Sequence, residues 1–245
     1  MSDGLVVDVG ATSIKWQSFR NELPVGPARR RRTPRPCTPS DLLEILEERV
    51  RSRHAESLAV GFPGDVVEGV IFDPANLARV DGPGSTTSTD VLAQWDRFPL
   101  EAELHRRLQI PVVVVNDARA AALGCDVAQG RHLILTLGTG LGVAMVIDGV
   151  VQKIDDVGGT SFGSSTFDEH VGERARAANE RRWLADVVVV IQQLRETFAT
   201  TTIHLAGGNA RRISGQEFAW LGLPVVVERE NPALRGLNRL RLSRP

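Results

Sequence analysis

Apolar residues in this chain come in short runs that alternate with helical spacings, and glycines close most of the runs. Leu5 to Val9 is a short apolar run stopped by Gly10, and Ser13 to Phe19 alternates in period two after it. Together they predict a β-hairpin turning at Gly10-Ala11-Thr12. Leu42, Leu43, Leu46 and Val50 recur at helical spacing behind Ser40, a residue type suited to cap a helix. Leu58 to Val60 predicts a buried strand ending at Gly61-Phe62-Pro63-Gly64, and Asp65 to Phe72 a second strand. Residues 81–90 have a loop composition. A helix over Leu100 to Leu108 leads to Val112 to Val115, whose fully apolar run suits the centre of a sheet covered on both faces. That strand ends at Asn116-Asp117, where an alanine-rich helix begins.

The same grammar returns further on. His132 to Leu137 and Val143 to Ile147 predict a hairpin around Gly138-Thr139-Gly140-Leu141-Gly142. Glu169 to Ala199 reads as helix broken near Asn179. Ile203 to Ala206 is a last buried strand, closed by Gly207-Gly208 and followed by a helix start at Asn209. A strand–glycine turn–strand unit thus occurs twice, each time followed by alternating strands and helices. This predicts an α/β protein of two similar halves, residues 1–116 and 117–245.

Composition adds mainly exclusions. The chain has 245 residues, 42% hydrophobic, with 29 basic and 30 acidic residues and a net charge of -1. No global field draws it to nucleic acid or membrane. No apolar window approaches the ~20 residues of a membrane span, and Met-Ser-Asp-Gly does not read as a secretory signal, so a cytoplasmic location is expected. Cys37 and Cys125 are far apart with no Cys-x-x-Cys, so neither a disulfide framework nor a cysteine zinc site is expected. The five histidines lack ligand spacing, and no Gly-x-Ser-x-Gly elbow occurs, which removes motif support for metal or serine hydrolysis. Arg29 to Arg32, in a proline-rich stretch, reads as a solvated loop or edge strand, with an anion contact as the sharper alternative.

The chemistry sits in the turns. Gly138 to Gly142 spells Gly-x-Gly-x-Gly before a strand, which argues against a dinucleotide fold, and no P-loop is present. Such a turn flanked by Thr136 and Thr139 offers backbone N–H groups and hydroxyls to phosphate, or is simply a tight hairpin. The first turn carries Asp8, Thr12 and Lys15. Asp8, ending its strand, is placed to hold Mg²⁺ directly or through water. Lys15, one of two lysines, is placed to neutralise a phosphate, or is an exposed strand residue. Asp117 fits a general base on a hydroxyl that accepts a phosphoryl group, and equally fits a helix cap.

As an ordered set, these motifs resemble the ROK family of bacterial sugar kinases. Asp8-Val9-Gly10-Ala11-Thr12-Ser13-Ile14-Lys15 looks like its first phosphate motif and Thr136 to Gly142 its second. Gly61-Phe62-Pro63-Gly64, Asn76 in Asp-Pro-Ala-Asn-Leu, Asn116-Asp117-Ala118 and Gly207-Gly208-Asn209-Ala210 follow the family order, over roughly residues 4–212. Within ROK the likeness is strongest to the polyphosphate-glucokinase branch. The resemblance implies an actin-like, ribonuclease H-like two-domain kinase fold with a central cleft. It implies a hexose kinase, of glucokinase type, moving a phosphoryl group from ATP or polyphosphate to the sugar 6-hydroxyl with Mg²⁺. Asp117 would be the base; Asn76, Asn116, Gly64 and Asp156 would lie on the sugar side. Asp8, Gly10, Thr12, Lys15, Thr136, Gly138, Thr139 and Gly140 would surround the donor phosphates, and Gly207 and Gly208 the adenosine. A homodimer is the common default for such enzymes.

The chain departs from the family where a Glu-x-Gly-His sugar motif is expected. Asp156-Val157-Gly158-Gly159 stands there instead, which loses an imidazole and shortens a carboxylate. The second reading is therefore a catalytically impaired sugar- or nucleotide-binding protein. The family's zinc-binding cysteine cluster is also missing, as it is in the polyphosphate branch. Type III pantothenate kinases resemble the chain only around Asp8 to Trp16.

Overall fold

The computed structural model describes residues 3–127, 129–152, 154, 157–214, 216–222 and 224–243, without the side chains of Glu217 and Leu221. Contacts divide the chain into two compact units, one made of residues up to Ala120 and from Ala233 onward, the other of Ala121–Pro232.

The first unit begins with strands β1 (Asp3–Val9), β2 (Ser13–Arg20) and β3 (Leu23–Arg32), all antiparallel neighbours. The arginine cluster is thus an edge strand, exposed at every residue. Helix α1 (Pro39–Arg53) follows. Its cap is Thr38, not Ser40: Thr38 Oγ1 accepts from Asp41 N at 3.1 Å and Asp41 Oδ2 accepts from Thr38 N at 2.9 Å. The fixed φ of Pro39 suits the first helical position, which moves the start ahead of Ser40. β4 (Ser57–Phe62) is buried along its whole length. The expected single strand after it is a hairpin of β5 (Asp65–Val67) and β6 (Val70–Asp73). Glu68 and Gly69, at φ 50° and 77°, supply the two left-handed residues of a two-residue turn. Helices α2 (Thr89–Trp95) and α3 (Leu100–Leu108) lead to β7 (Val112–Asn116) and α4 (Asp117–Gly124).

The sheet order is β3-β2-β1-β4-β7, with β1, β4 and β7 parallel. Leu5, Val7, Val9, Leu58 and Val60 pack with Leu42, Leu43 and Leu46 of α1 and with Trp95 in one core.

The second unit repeats this plan. β8 (Arg131–Leu137), β9 (Leu141–Ile147) and β10 (Val150–Gln152) form an antiparallel run. A small hairpin, β11 (Ser161–Phe162) and β12 (Ser165–Thr166), precedes helices α5 (Phe167–Val171), α6 (Glu173–Ala178) and α7 (Glu180–Phe198). The helical stretch is therefore broken at Asn179, as the sequence predicts, and once more at Gly172. β13 (Thr202–Ala206) and β14 (Val225–Val227) complete the order β10-β9-β8-β13-β14, the counterpart of the first sheet. Leu133, Leu135 and Leu137 pack against Trp183, Val187, Ile191 and Leu194. The helix expected at Asn209 is a single 3-10 turn, Ala210–Arg212.

The chain then returns to the first unit as α8 (Pro232–Ser243). The sequence assigned these residues to the second half. Instead Arg241, buried, donates to Ser57 Oγ at 2.9 Å, to Asn21 O at 3.0 Å and to Asn238 Oδ1 at 2.8 and 3.0 Å. These bonds satisfy a guanidinium that would be costly to bury alone.

Candidate active site

In the first unit one rung crosses all five strands: Arg30, Lys15, Asp8, Gly61 and Val115 are successive register partners. Lys15 Nζ donates to Asp8 Oδ2 at 3.0 Å. The start of α4 lies over Gly61: a Cβ there would stand 3.7 Å from Asp117 Cα and 3.7 Å from Ala120 Cβ, in ordinary van der Waals contact. Asp117 feels Asp8. Burial pushes its carboxyl up from 3.8 to about 7, and the negative charge of Asp8 adds to the rise. The Ala118 N–H, 2.7 Å from Asp117 Oδ1, and the Lys15 cation act in the opposite direction.

The capping task expected of Asp117 falls to its neighbour. Asn116 Oδ1 accepts from Arg119 N at 3.0 Å, while Asn116 Nδ2 donates to Gly64 O at 2.8 Å. One amide thus caps α4 and ties it to the loop after β4. Gly64 sits at φ 87°, and a Cβ there would overlap the Asp73 carbonyl beside Ala75, so only glycine fits. Asn76, in the next turn, accepts on Oδ1 from Arg79 Nε at 2.8 Å. Gly64, Asn76 and Asn116 are therefore tied into neighbouring loops of the first unit. The first hairpin turn is braced by Thr33, whose Oγ1 donates to Gly10 O at 2.6 Å and whose N donates to Thr12 O at 3.2 Å. Thr12 is exposed at the tip.

In the second unit the turn at Gly138–Gly140 is closed by Gly138 N donating to Gly140 O at 3.0 Å. Asn209 Nδ2 donates to Gly138 O at 3.1 Å and Asn209 N to Leu137 O at 3.0 Å, so the segment carrying Gly207 and Gly208 braces the turn that carries Thr139. Gly138 and Gly208 have open space where a side chain would stand. Thr136 lies one residue before Leu137 on β8, half-buried. Asp156 lies outside the described residues.

Two residues outside this turn support it without any signal of that role in the sequence. Asp168 Oδ1 accepts from Leu141 N at 2.7 Å, and its carboxylate occupies the space that side chains at Gly140 and Gly158 would need. Nothing local marks Asp168, which the Thr166–Glu169 capping box merely carries into α5. Asn209 was visible as part of Gly-Gly-Asn-Ala, but its bracing role depends on a bond across 71 positions.

A mixed α/β fold of two like-ordered units, with paired glycine hairpins and an acidic helix start, is the fold of actin-like kinases. The pattern that defines the ROK family matches residues 5–161, and the chain belongs to that family. The likeness to its polyphosphate-glucokinase branch also holds. Polyphosphate glucokinase of Mycobacterium tuberculosis is 26% identical over 221 residues, 85% of this chain and 78% of that one. The crystal structure of an inorganic polyphosphate/ATP-glucomannokinase from Arthrobacter sp. strain KM superposes with a TM-score of 0.82 over 99% of each chain, at 23% identity. N-acetylmannosamine kinase of Salmonella typhimurium is 29% identical over 155 residues, 59% of this chain and 47% of that one. No described helix is long and apolar enough to cross a membrane.

Proposed function

We propose that this protein is a hexose kinase of glucokinase type, transferring a phosphoryl group from ATP or polyphosphate to the sugar 6-hydroxyl. The observation that carries the reading is Asp117, a carboxylate held near pKa 7 at the carboxyl end of β7 beside Asp8 and Lys15. A base works best when its pKa lies near the working pH. Asp117 takes the hydroxyl proton as the sugar oxygen bonds to phosphorus and the bond to the donor's bridging oxygen breaks, leaving ADP or a shortened polyphosphate. Asn116 and Asn76 orient the acceptor, and the Lys15 ammonium offsets charge on the phosphates. Each unit carries a glycine turn suited to donor phosphates, Gly10–Thr12 in the first and Thr136–Gly140, beside Gly207 and Gly208, in the second.

Asp8 fits the Mg²⁺ such transfers use: a hard cation takes one or two carboxylates, water and phosphate oxygens. When bound, it neutralises charge building on the transferred group. The relatives' names support either donor and leave the acceptor among glucose, mannose and N-acetylmannosamine.

The test crosses ATP and polyphosphate, with Mg²⁺, against those three sugars, using Asp117→Asn as the blank. Asp117-dependent product from one pair supports the proposal and names both substrates. Sugar or nucleotide binding without any turnover overturns it in favour of the impaired binding protein suggested by Asp156 to Gly159.

A further inference from the structure

On the face of the second sheet away from α7, His132 and His204 stand on neighbouring strands, with Glu228 just past β14, its N donating to Leu205 O at 2.8 Å. His132 Nε2 lies 3.3 Å from Gln129 O, and His132 Nδ1 lies 3.2 Å from His204 Nε2. His204 Nδ1 in turn lies 3.1 Å from Glu228 Oε1. Both imidazoles are buried, at 6% and 4% exposure, and the Glu228 side chain is 13% exposed. Cys125, just past α4 and 3% exposed, completes the group: its sulfur, a His204 nitrogen and a Glu228 oxygen all lie within 4.8 Å of one another.

Counting hydrogens shows what the cluster needs. Three contacts each require one hydrogen, the carbonyl and the carboxylate have none to give, and two neutral imidazoles carry two. In the tautomer in which His204 Nε2 donates to His132 Nδ1, a bare Nδ1 faces the Glu228 carboxylate, and a cation there makes that contact attractive. A metal ion can fill that place and draw on the Cys125 sulfur as well.

We propose that Cys125, His204 and Glu228 bind one divalent transition-metal ion, zinc by preference. Thiolate, imidazole and carboxylate together are a donor set for such a borderline-soft ion, and a tetrahedral site leaves one position for water. Zinc bonds of about 2.0–2.3 Å place ligand atoms roughly 3.5 Å apart, close to the 3.1 Å between His204 Nδ1 and Glu228 Oε1, so small side-chain shifts bring the three atoms to ligand spacing. Cys125 loses its proton to solvent in the process. His132 accepts from His204 Nε2 and fixes the ring that the metal uses, the ordinary outer partner of a metal-bound histidine. The ligands come from three segments: past α4, within β13 and just past β14. The ion therefore clamps the three-residue edge strand β14 to the sheet. None of the three residues belongs to the glycine turns or to Asn116-Asp117, so this inference stands apart from the kinase reading.

The test uses the whole chain, stripped with chelator and dialysed against zinc chloride without nucleotide or Mg²⁺. One zinc per chain and a raised Tm are expected. Cys125→Ser and Glu228→Gln should lose the ion, and His132→Gln should keep it about 10- to 100-fold more weakly. Because buried variants can unfold, Co²⁺ is also added to the unaltered chain, where a thiolate-to-cobalt charge-transfer band is expected. No zinc retained, zinc retained equally by folded Cys125→Ser, or cobalt bound without that band would each overturn the proposal.

Discussion

Asp8 and Gly61 are register partners on adjacent parallel strands, and Asp117, at the start of α4, lies over Gly61 and feels the Asp8 carboxylate. Two acids thus meet at one end of the sheet.

That meeting predicts a pH profile. kcat/KM should rise with pH and level off above about 7, as Asp117 becomes the ionised base. Asp117→Asn should lower kcat by about 10²- to 10⁴-fold. Asp8→Asn removes a like charge and should move the rising limb to lower pH, whereas Lys15→Met removes a cation and should move it higher. Both variants should also weaken donor binding under the proposed function, so the position of the limb is the readout.

The same carboxyl makes stability depend on pH. Its folded value, about 7, lies above the ordinary 3.8, so folding takes up a proton between these values. Asp117 then costs nothing below pH 3.8, and its penalty grows until it is complete above about pH 7. At pH 8 Asp117→Asn should be more stable than the parent by up to about 4 kcal/mol, three pKa units at 1.36 each. Near pH 4 the difference should vanish. Urea unfolding at the two pH values measures this directly.

Gly64→Ala forces a Cβ into the Asp73 carbonyl at a left-handed φ and should cost about 1–3 kcal/mol. Asn116→Ala removes the α4 cap, worth about 0.5–2 kcal/mol, together with the tie to Gly64. Its sugar KM should rise more than its kcat falls. Denaturation and steady-state kinetics on both variants check the pair.

Asp168→Ala leaves Leu141 N without its acceptor and frees the space beside Gly140. Donor KM should rise about 10-fold, consistent with roughly 1–3 kcal/mol for an orphaned buried donor, while sugar KM stays put. Initial rates with donor and sugar varied separately would reveal the split.

The edge strand predicts how a polyanion is used. Arg30 and Arg32 pair with Lys15 and Ser13 and share the Lys15 face, whereas Arg31 reaches Glu48 of α1 at 3.9 Å. Replacing Arg30 and Arg32 with Gln should raise KM for polyphosphate and flatten its salt dependence, with ATP little affected. Arg31→Gln should do neither.

Both hairpins and the break at Asn179 were legible because they rest on local periodicity and turn residues. Thr38 and Ser40 are both capping residue types, and only the position of Pro39 at the first helical residue decides for Thr38. The hairpin of β5 and β6 was hidden because Glu68-Gly69 is not a usual pair for its turn. The acid at Asp117 could be named from its place after an apolar strand, but its raised pKa comes from burial in the folded unit and from Asp8, a residue far off in sequence. The histidine–glutamate–cysteine group shows the same limit more sharply. His132 and His204 stand 72 positions apart, so no spacing rule finds a pair that only parallel strands bring together.

Arg241 ties α8 to Ser57 and Asn21, so the first unit is threaded by two separate stretches of chain while the second is one continuous stretch. On the ribosome this inverts the order of assembly. Segments generally fold as units as they emerge, so the stretch made second can close first. The unit whose synthesis starts earlier waits, its β1 and β4 surface uncovered, for a helix translated after its neighbour is finished.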